Sequence, residues 1–280
     1  MNADAVSQRT NELLVRFNLT TAAAQMAGRL EQAGHQQALS IVLEVLEMEA
    51  EARQQRKISR LRHASQLPPA KSFDTLDLGL LQPALGRKLR ELARGEFLDN
   101  AANLLAFGPP GVGKSHAASA LGHALIEQGH AVLFRPAYQL VQQLLAAKRE
   151  LTLPRLLRRF DTVELLILDD IGYIKQSAEE AEVLCTLIAQ RYERHSVMIT
   201  SNLVFSQWER IFKEPMATAA AIDRLVHHSI ILEFNASSYR NGHRRRTDGQ
   251  PGNGAGANKS DSEDKSQADR HRTPPLGGEK

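Results

Sequence analysis

The segment 108–115, with the sequence GPPGVGKS, constrains the fold of this chain more than any other part of it. It follows the apolar run NLLAF at 103–107 and precedes a helical stretch. Gly108 and Gly113, separated by four residues and followed by Lys and Ser, fit the pattern of a loop whose backbone N–H groups bind phosphate at the start of a helix. A tight glycine turn without a ligand is the alternative interpretation.

The two residues that end this loop suggest which phosphates it binds. Lys114 would place a compact positive charge against the β- and γ-phosphates, and the hydroxyl of Ser115 would coordinate Mg²⁺. We therefore predict ATP and Mg²⁺ as the cofactors. The predicted nucleotide contacts from this part of the chain are Gly108, Pro109, Pro110, Gly111, Val112, Gly113, Lys114, Ser115 and His116.

Between residues 103 and 234, short apolar runs alternate with helical stretches. The runs are NLLAF, AVLFR, LLIL, SVMIT and IILEF. Strands that alternate with helices predict an α/β fold with a parallel sheet and helices on both faces. The loop at 108–115 would then lie at the carboxyl end of the first strand.

The rest of the chain differs from this region in its composition and in the spacing of its apolar residues. Apolar residues recur at helical spacing over 10–63, which predicts a small all-helical N-terminal domain at 1–65. The prolines of Gln-Leu-Pro-Pro indicate a linker at 66–72, followed by the α/β domain at 73–240. Residues 241–280 contain almost nothing apolar and are predicted to be a disordered polar tail.

The run LLIL ends in two carboxylates, Asp169 and Asp170. Ligands of open α/β sheets bind at the carboxyl ends of strands, so Asp169 would hold Mg²⁺ and Asp170 would orient or deprotonate an attacking water. A strand that merely ends in polar residues is the alternative. The side chain of Asp170 is one methylene shorter than that of a glutamate, so its carboxylate reaches less far toward an attacking water, and we expect slow hydrolysis.

Composition limits the location and the partners. No apolar run approaches the roughly 20 residues that span a bilayer, and the start of the chain lacks the features of a secretory signal, so we expect a cytoplasmic protein without membrane contact. A net charge of +3 and a pI near 9.1 permit a nucleic-acid partner without requiring one.

Two basic clusters are candidates for contact with duplex DNA. The first cluster is Arg53, Arg56, Lys57, Arg60 and Arg62. The second cluster is Lys148, Arg149, Arg155, Arg158 and Arg159. Neither is interleaved with aromatic residues, so we expect salt-sensitive contact with the phosphate backbone and little base reading, and the alternative is a solvated helix face.

These motifs together resemble the IstB-like helper ATPases of bacterial insertion sequences and, more distantly, the helicase loader DnaC and the initiator DnaA. The resemblance covers about 10–240 and includes, in order, GPPGVGKSHAASALGHAL, LLILDDIGY, ITSNLVFSQW, AIDRLVHHS and SYR. It implies a P-loop AAA+ fold and a homo-oligomer with ATP at the subunit interfaces. It further implies a transposition helper that assembles on DNA, selects or remodels the target, recruits a transposase and disassembles on hydrolysis.

The resemblance also implies roles for three further residues. Asn202 matches a polar sensor of the γ-phosphate or the attacking water, although an Asx turn would explain it too. Arg224 matches an arginine finger that reaches a neighbouring subunit's ATP, with an ion pair to Glu209 or Asp223 as the alternative. Arg240 matches an arginine that senses nucleotide within its own subunit. Little sequence follows Arg240 apart from the polar tail, so no C-terminal lid domain is expected.

The resemblance also favours DNA contact by the second basic cluster, because DnaA and DnaC relatives have at this place an extra helix that lines a DNA channel. Three other functions stay open at this point. A DnaC-like helicase loader is the nearest alternative, a small-molecule kinase would share only the phosphate loop, and an ATP-switched clamp would bind ATP without hydrolysing it.

Overall fold

The computed structural model describes residues 3–171, 177–203, 207–208 and 222–235. Five strands in these ranges form one sheet in the order β2-β3-β4-β1-β5, and every neighbouring pair is parallel. The strands are β1 Asn103–Phe107, β2 Val132–Pro136, β3 Leu165–Ile171, β4 Ser196–Ser201 and β5 Ser229–Glu233. The predicted parallel sheet is confirmed, and each strand coincides with one of the five apolar runs.

Helices flank the sheet and make up the N-terminal region. They are α1 Ala3–Arg16, α2 Thr20–Gln32, α3 Ala38–Ser65, α4 Pro83–Leu92, α5 Glu96–Asp99, α6 Lys114–Glu127, α7 Ala137–Arg149, α8 Leu153–Phe160 and α9 Ala178–Arg191, with a 3₁₀ turn at Leu78–Leu80. Residues 222–226 are also helical. Within the described ranges, no helix is long and apolar enough to cross a bilayer.

Helices cover both faces of the sheet, so the apolar parts of β1, β3 and β4 are buried on both sides, whereas the edge strand β5 is only partly buried. Successive side chains of a strand point to opposite faces, so Leu104 joins one apolar core and Leu105 joins the other. The core that contains Leu104 also includes residues of α4 and α6, such as Leu89 and Leu121. The core that contains Leu105 includes residues of α7, α8 and α9. This two-faced burial explains why the strands read as continuous apolar runs.

Helix α3 belongs to both parts of the molecule. Its first half packs on α1 and α2, whereas Ile58 in its second half joins the core that contains Leu104. The helix ends at Ser65, and the following segment runs along α6, where the ring of His123 contacts the carbonyl of Pro68 at 3.1 Å. The predicted linker at 66–72 is therefore packed against the α/β core.

Three predictions concern residues that the structure does not describe. Arg240 and the polar tail at 241–280 lie outside the described ranges, and so does the region where a C-terminal lid would follow.

Candidate nucleotide-binding site

The loop between β1 and α6 requires glycine at three positions. Gly111 and Gly113 have φ angles of 82° and 97°, in the left-handed region that side chains disfavour. At Gly108, a Cβ atom would collide with the carbonyl oxygen of Phe234, which follows β5. The loop then leads into the amino terminus of α6 at Lys114. Close backbone approach and a free helix amino terminus are the two features that a phosphate-binding loop needs.

The side chain of Lys114 lies back against this loop. It is 7% exposed, and its Nζ donates hydrogen bonds to the carbonyls of Gly108 at 2.7 Å and Pro109 at 2.8 Å. Burial lowers the pKa of Lys114, while the nearby charges of Asp170 and Asp169 raise it. The ammonium group is thus held at the loop and faces the acidic pair.

The acidic pair lies at an irregularity in β3. The register between β3 and β4 shifts between Leu168 and Ile171, and Asp170 has a φ of 62°. Its N–H therefore bonds to a side chain, the hydroxyl of Thr200 on β4, at 2.8 Å. That hydroxyl in turn donates to Oδ1 of Asp169 at 2.6 Å. One buried threonine fixes the backbone of one aspartate and the carboxylate of the other.

The two carboxylates differ in their surroundings. Asp170 is exposed as a residue, yet partial burial of its carboxyl group raises its pKa, and the charge of Asp169 adds to this rise. The charge of Lys114 acts in the opposite direction. A carboxylate with a raised pKa accepts a proton more readily, which suits a general base.

Asn202 follows β4 directly and is half-buried. Its Oδ1 is buried and has no hydrogen-bond partner within the described ranges. Ser201 closes the turn instead, because its hydroxyl accepts from the N–H of Leu203 at 3.0 Å. The N–H that would close an Asx turn at Asn202 belongs to residue 204, outside the described ranges. A buried amide oxygen without a partner among the described residues is suited to meet a ligand.

The sheet brings these residues together. Strand β4 lies between β1 and β3, so the phosphate loop, the acidic pair and Asn202 all follow the carboxyl ends of adjacent strands. Ser115, at the second position of α6, and Asp169 are both half-buried at this edge. Hydroxyl and carboxylate oxygens are the ligands that Mg²⁺ prefers, so the donor set fits this metal beside a nucleotide.

Sequence analysis missed Thr200 and the role of the segment before β1. Thr200 ends the apolar run SVMIT, and a polar residue at the end of this run was the available signal. His116 was predicted to contact nucleotide, but its Nε2 lies 3.1 Å from both the carbonyl of Ser72 and the hydroxyl of Thr75. Its ring therefore joins α6 to the segment at 72–75, and a contact with nucleotide stays a prediction.

Arg224 lies at the opposite edge of the sheet. The helical residues 222–226 precede β5, and the carbonyl of Leu225 accepts a hydrogen bond at 3.2 Å from the side chain of Asn103, the first residue of β1. The phosphate loop begins at the other end of β1, about 13 Å further along the strand. Arg224 is half-buried and forms no ion pair with Asp223, while Glu209 lies outside the described ranges.

The two basic clusters differ in how their charges are engaged. On α3, Arg53 and Arg56 both bond to Glu49, at 2.6 and 3.0 Å, and Arg62 pairs with Glu127. Lys57 and Arg60 have no ion pair within the described ranges.

The second cluster divides between α7 and α8. Lys148 pairs with Glu182 at 2.7 Å, and Arg149 lies 4.0 Å from Glu179. The three arginines of α8 are exposed and have no ion-pair partner in the part of the chain that the structure describes. They are Arg155, Arg158 and Arg159. Within the described ranges, α8 therefore carries three unpaired arginines, whereas the first cluster has two unpaired residues, Lys57 and Arg60.

Solved structures share this fold at low sequence identity. The protein DnaI matches with a TM-score of 0.52 and 20% identity over 61% of this chain and 96% of its own. DnaA from Aquifex aeolicus, bound to AMPPCP, matches with a TM-score of 0.53 and 16% identity over 65% of this chain and 55% of its own. These similarities confirm the predicted P-loop AAA+ fold.

Sequence relatives are closer. An insertion sequence ATP-binding protein of Sinorhizobium fredii is 44% identical over 70% of this chain and 66% of its own length. The ATP-binding proteins of insertion sequences IS21 from Pseudomonas aeruginosa and IS5376 from Geobacillus stearothermophilus are 38% and 37% identical over 87% and 94% of their lengths. Residues 12–247 match the family described as IstB-like ATP binding protein. The predicted resemblance is confirmed, and the chain belongs to this family of insertion-sequence ATP-binding proteins.

Proposed function

We propose that this protein hydrolyses ATP between subunits of a homo-oligomer that assembles on duplex DNA and recruits or stimulates a transposase. The position of Arg224 carries this proposal. It lies at the amino end of β1, whereas its own phosphate loop lies at the carboxyl end, and an arginine side chain is too short to join them. Arg224 is half-buried and has no acidic partner among the described residues, and a guanidinium at that edge fits the ATP of a neighbouring subunit. Such fingers are worth about 10³–10⁵ in rate.

The residues at the carboxyl edge have separate roles in this proposal. Lys114 binds the β- and γ-phosphates through its ammonium group, which in this structure donates hydrogen bonds to two loop carbonyls. Ser115 and Asp169 would hold Mg²⁺, which neutralises charge on the phosphate oxygens. Asp170 accepts the proton of the attacking water, and Asn202 orients that water or reads the γ-phosphate. Hydrolysis then removes the γ-phosphate on which Arg224 of the neighbouring subunit depends, so the oligomer disassembles.

Helix α8 is the proposed DNA contact of highest charge. Its apolar side faces the core through Leu157 and Phe160, which leaves the three arginines on the solvent side. Guanidinium groups without acidic partners lose no ion pair when they bind phosphate, and such contacts do not depend on sequence. The names of the relatives support a role in insertion sequences, and a DnaA structure of the same fold holds single-stranded DNA.

The proposal is tested by measuring particle size on duplex DNA with ATP, with ADP and without nucleotide. The particles should become larger only when DNA and ATP are both present, and added transposase should join these large particles. Lys114→Ala should not form the large particles, because losing hydrogen bonds from a charged donor weakens ATP binding by about ten- to hundredfold. Lys88→Ala is the matched control, since Lys88 is exposed on α4 and pairs with Glu91.

Two results would contradict the proposal. Particles that keep one size under all three nucleotide conditions would remove ATP-dependent assembly. Particles that become equally large with ATP whether or not duplex is present would show that DNA is not needed for assembly.

A further inference from the structure

The loop between α7 and α8 exposes a leucine. Leu151 is 89% exposed, more than any other large apolar side chain among the residues described. It is also the residue that reverses the chain direction, with a φ of 58°. Apolar surface in water is unfavourable, and the left-handed backbone favours glycine over leucine. Leu151 thus combines an exposed apolar side chain with an unfavourable backbone conformation.

The backbone around Leu151 is held firmly. The N–H of Thr152 bonds to the carbonyl of Ala147 at 2.8 Å, and the N–H of Leu151 bonds to that of Lys148 at 3.2 Å. These two bonds form a helix-ending motif in which glycine normally takes the position of Leu151. Helix α8 begins two residues later and is anchored by buried apolar residues. The leucine is therefore presented on a rigid support.

Positive charge dominates the surroundings of this loop. Lys148 and Arg149 end α7, and Arg155 and Arg158 lie on α8 without acidic partners in the described ranges. Glu150 is the one acid in the loop itself, and Lys148 and Arg149 are paired with acids of α9. An exposed apolar residue between basic helices matches a partner with an anionic backbone and an apolar interior, which is the character of duplex DNA.

We propose that Leu151 is an apolar wedge that inserts between base pairs of duplex DNA while the arginines of α8 hold the phosphates. This deepens the proposed function and rests on its DNA binding. Leucine is one of the side chains that proteins insert between base steps, and each such insertion kinks the duplex by about 20–90°. Leu151 would thereby convert sequence-independent binding into deformation of the target.

The variant Leu151→Gly separates the wedge from the phosphate contacts. It removes the side chain and relieves the left-handed backbone, so the melting temperature of the protein should rise. Its binding to duplex should keep the same dependence on salt, because the number of phosphate contacts is unchanged. Bending, measured as energy transfer between dyes at the two ends of a duplex with ATP present, should fall to near the value of free DNA.

Two further variants control this experiment. Leu151→Met keeps a long apolar side chain and should keep the bend. Ile41→Ala shortens an apolar side chain on α3 that is 66% exposed, far from α8 in the sequence, and should leave bending unchanged. The double variant Arg155→Ala, Arg158→Ala should weaken binding and reduce the slope of log affinity against log salt by about 2.

Each contrary outcome has a distinct meaning. Failure of the unaltered protein to bind duplex would overturn the proposed function and the wedge together. Normal bending by Leu151→Gly would overturn the wedge alone. Failure of Leu151→Gly to assemble on duplex with ATP, while its binding to duplex without nucleotide is unchanged, would assign the leucine to a protein contact and would also overturn the wedge.

Discussion

At the scale of single residues, Thr200 decides the geometry of the acidic pair. The irregularity in β3 removes the backbone partner of the Asp170 N–H, and a backbone N–H buried without a partner is unfavourable. The hydroxyl of Thr200 accepts from this N–H and donates to Asp169. A hydroxyl does both at once, whereas a methyl group of similar size does neither. Thr200 is therefore a positioning residue for the two aspartates.

The substitution Thr200→Val tests this role. We expect ATP hydrolysis to fall about tenfold, since a hydrogen bond to a charged group contributes about 1.5 kcal/mol. Affinity for ATP without Mg²⁺ should change little, because the phosphate loop is unaltered. Thr186→Val is the matched control, as Thr186 lies on the exposed side of α9 and its hydroxyl bonds to the carbonyl of Glu182 in the same helix. Equal hydrolysis by the two variants would remove Thr200 from the site.

Asp170→Asn tests the general base and also bears on stability. Hydrolysis should fall about 10²–10⁴-fold while ATP binding persists, because an amide cannot accept the proton. A carboxyl whose pKa is raised by folding is destabilising when ionised, so the variant should melt at a higher temperature than the unaltered protein at neutral pH. This advantage should shrink as the pH falls through the raised pKa. Melting curves over pH measure it, and a lower melting temperature at neutral pH would contradict the argument.

At the scale of elements, sequence reasoning succeeded where burial sets the pattern. The apolar parts of β1, β3 and β4 are buried on both faces, so these strands appear as apolar runs, and the phosphate loop is marked by glycines that its backbone requires. It missed Thr200 because the irregularity at Asp169 and Asp170 leaves no mark in composition. It also treated the segment at 66–72 as a plain linker, since contacts such as His123 with Pro68 join residues 55 apart.

The buried Arg191 holds several elements together. It is 1% exposed, and its guanidinium donates to the carbonyls of Phe160, Val163 and Ser196 at 2.6 to 3.0 Å. Burial lowers its pKa to about 10, so it remains charged at neutral pH. The side chain thus links α9 to the end of α8 and to the start of β4.

Arg191→Met should lower the free energy of unfolding by at least about 3 kcal/mol, because several buried carbonyls would lose their donors. Urea denaturation measures this loss. Arg194→Met, at a 55% exposed side chain paired with Asp161, should cost less than about 1 kcal/mol. Similar stability of the two variants would show that the buried bonds contribute little.

At the scale of the whole molecule, the sheet separates two halves of one reaction. The carboxyl ends of β1, β3 and β4 carry the groups proposed to bind and hydrolyse ATP, and the amino end of β1 holds the segment of Arg224 through Asn103. In the proposed function, an active centre requires two subunits in head-to-tail contact, and repetition of this contact would yield a ring or a helical filament.

Mixing two inactive variants tests this arrangement. Arg224→Ala keeps its phosphate loop but lacks the finger, and Lys114→Ala keeps the finger but lacks the loop lysine. Each alone should hydrolyse ATP at less than about a thousandth of the normal rate on DNA. In an equal mixture, about a quarter of random head-to-tail contacts pair an intact loop with an intact finger, so activity should return to a measurable fraction.

The control for mixing is a second pair of variants that share one defect. Arg224→Ala mixed with Arg224→Lys should stay inactive, because no subunit supplies a guanidinium and an ammonium group lacks its planar fork. Arg194→Ala alone should remain fully active, since Arg194 is exposed and pairs with Asp161. Recovery in the Lys114→Ala mixture together with failure in the control pair assigns Arg224 to the neighbour's ATP. Full activity of Arg224→Ala by itself would instead confine hydrolysis to a single subunit.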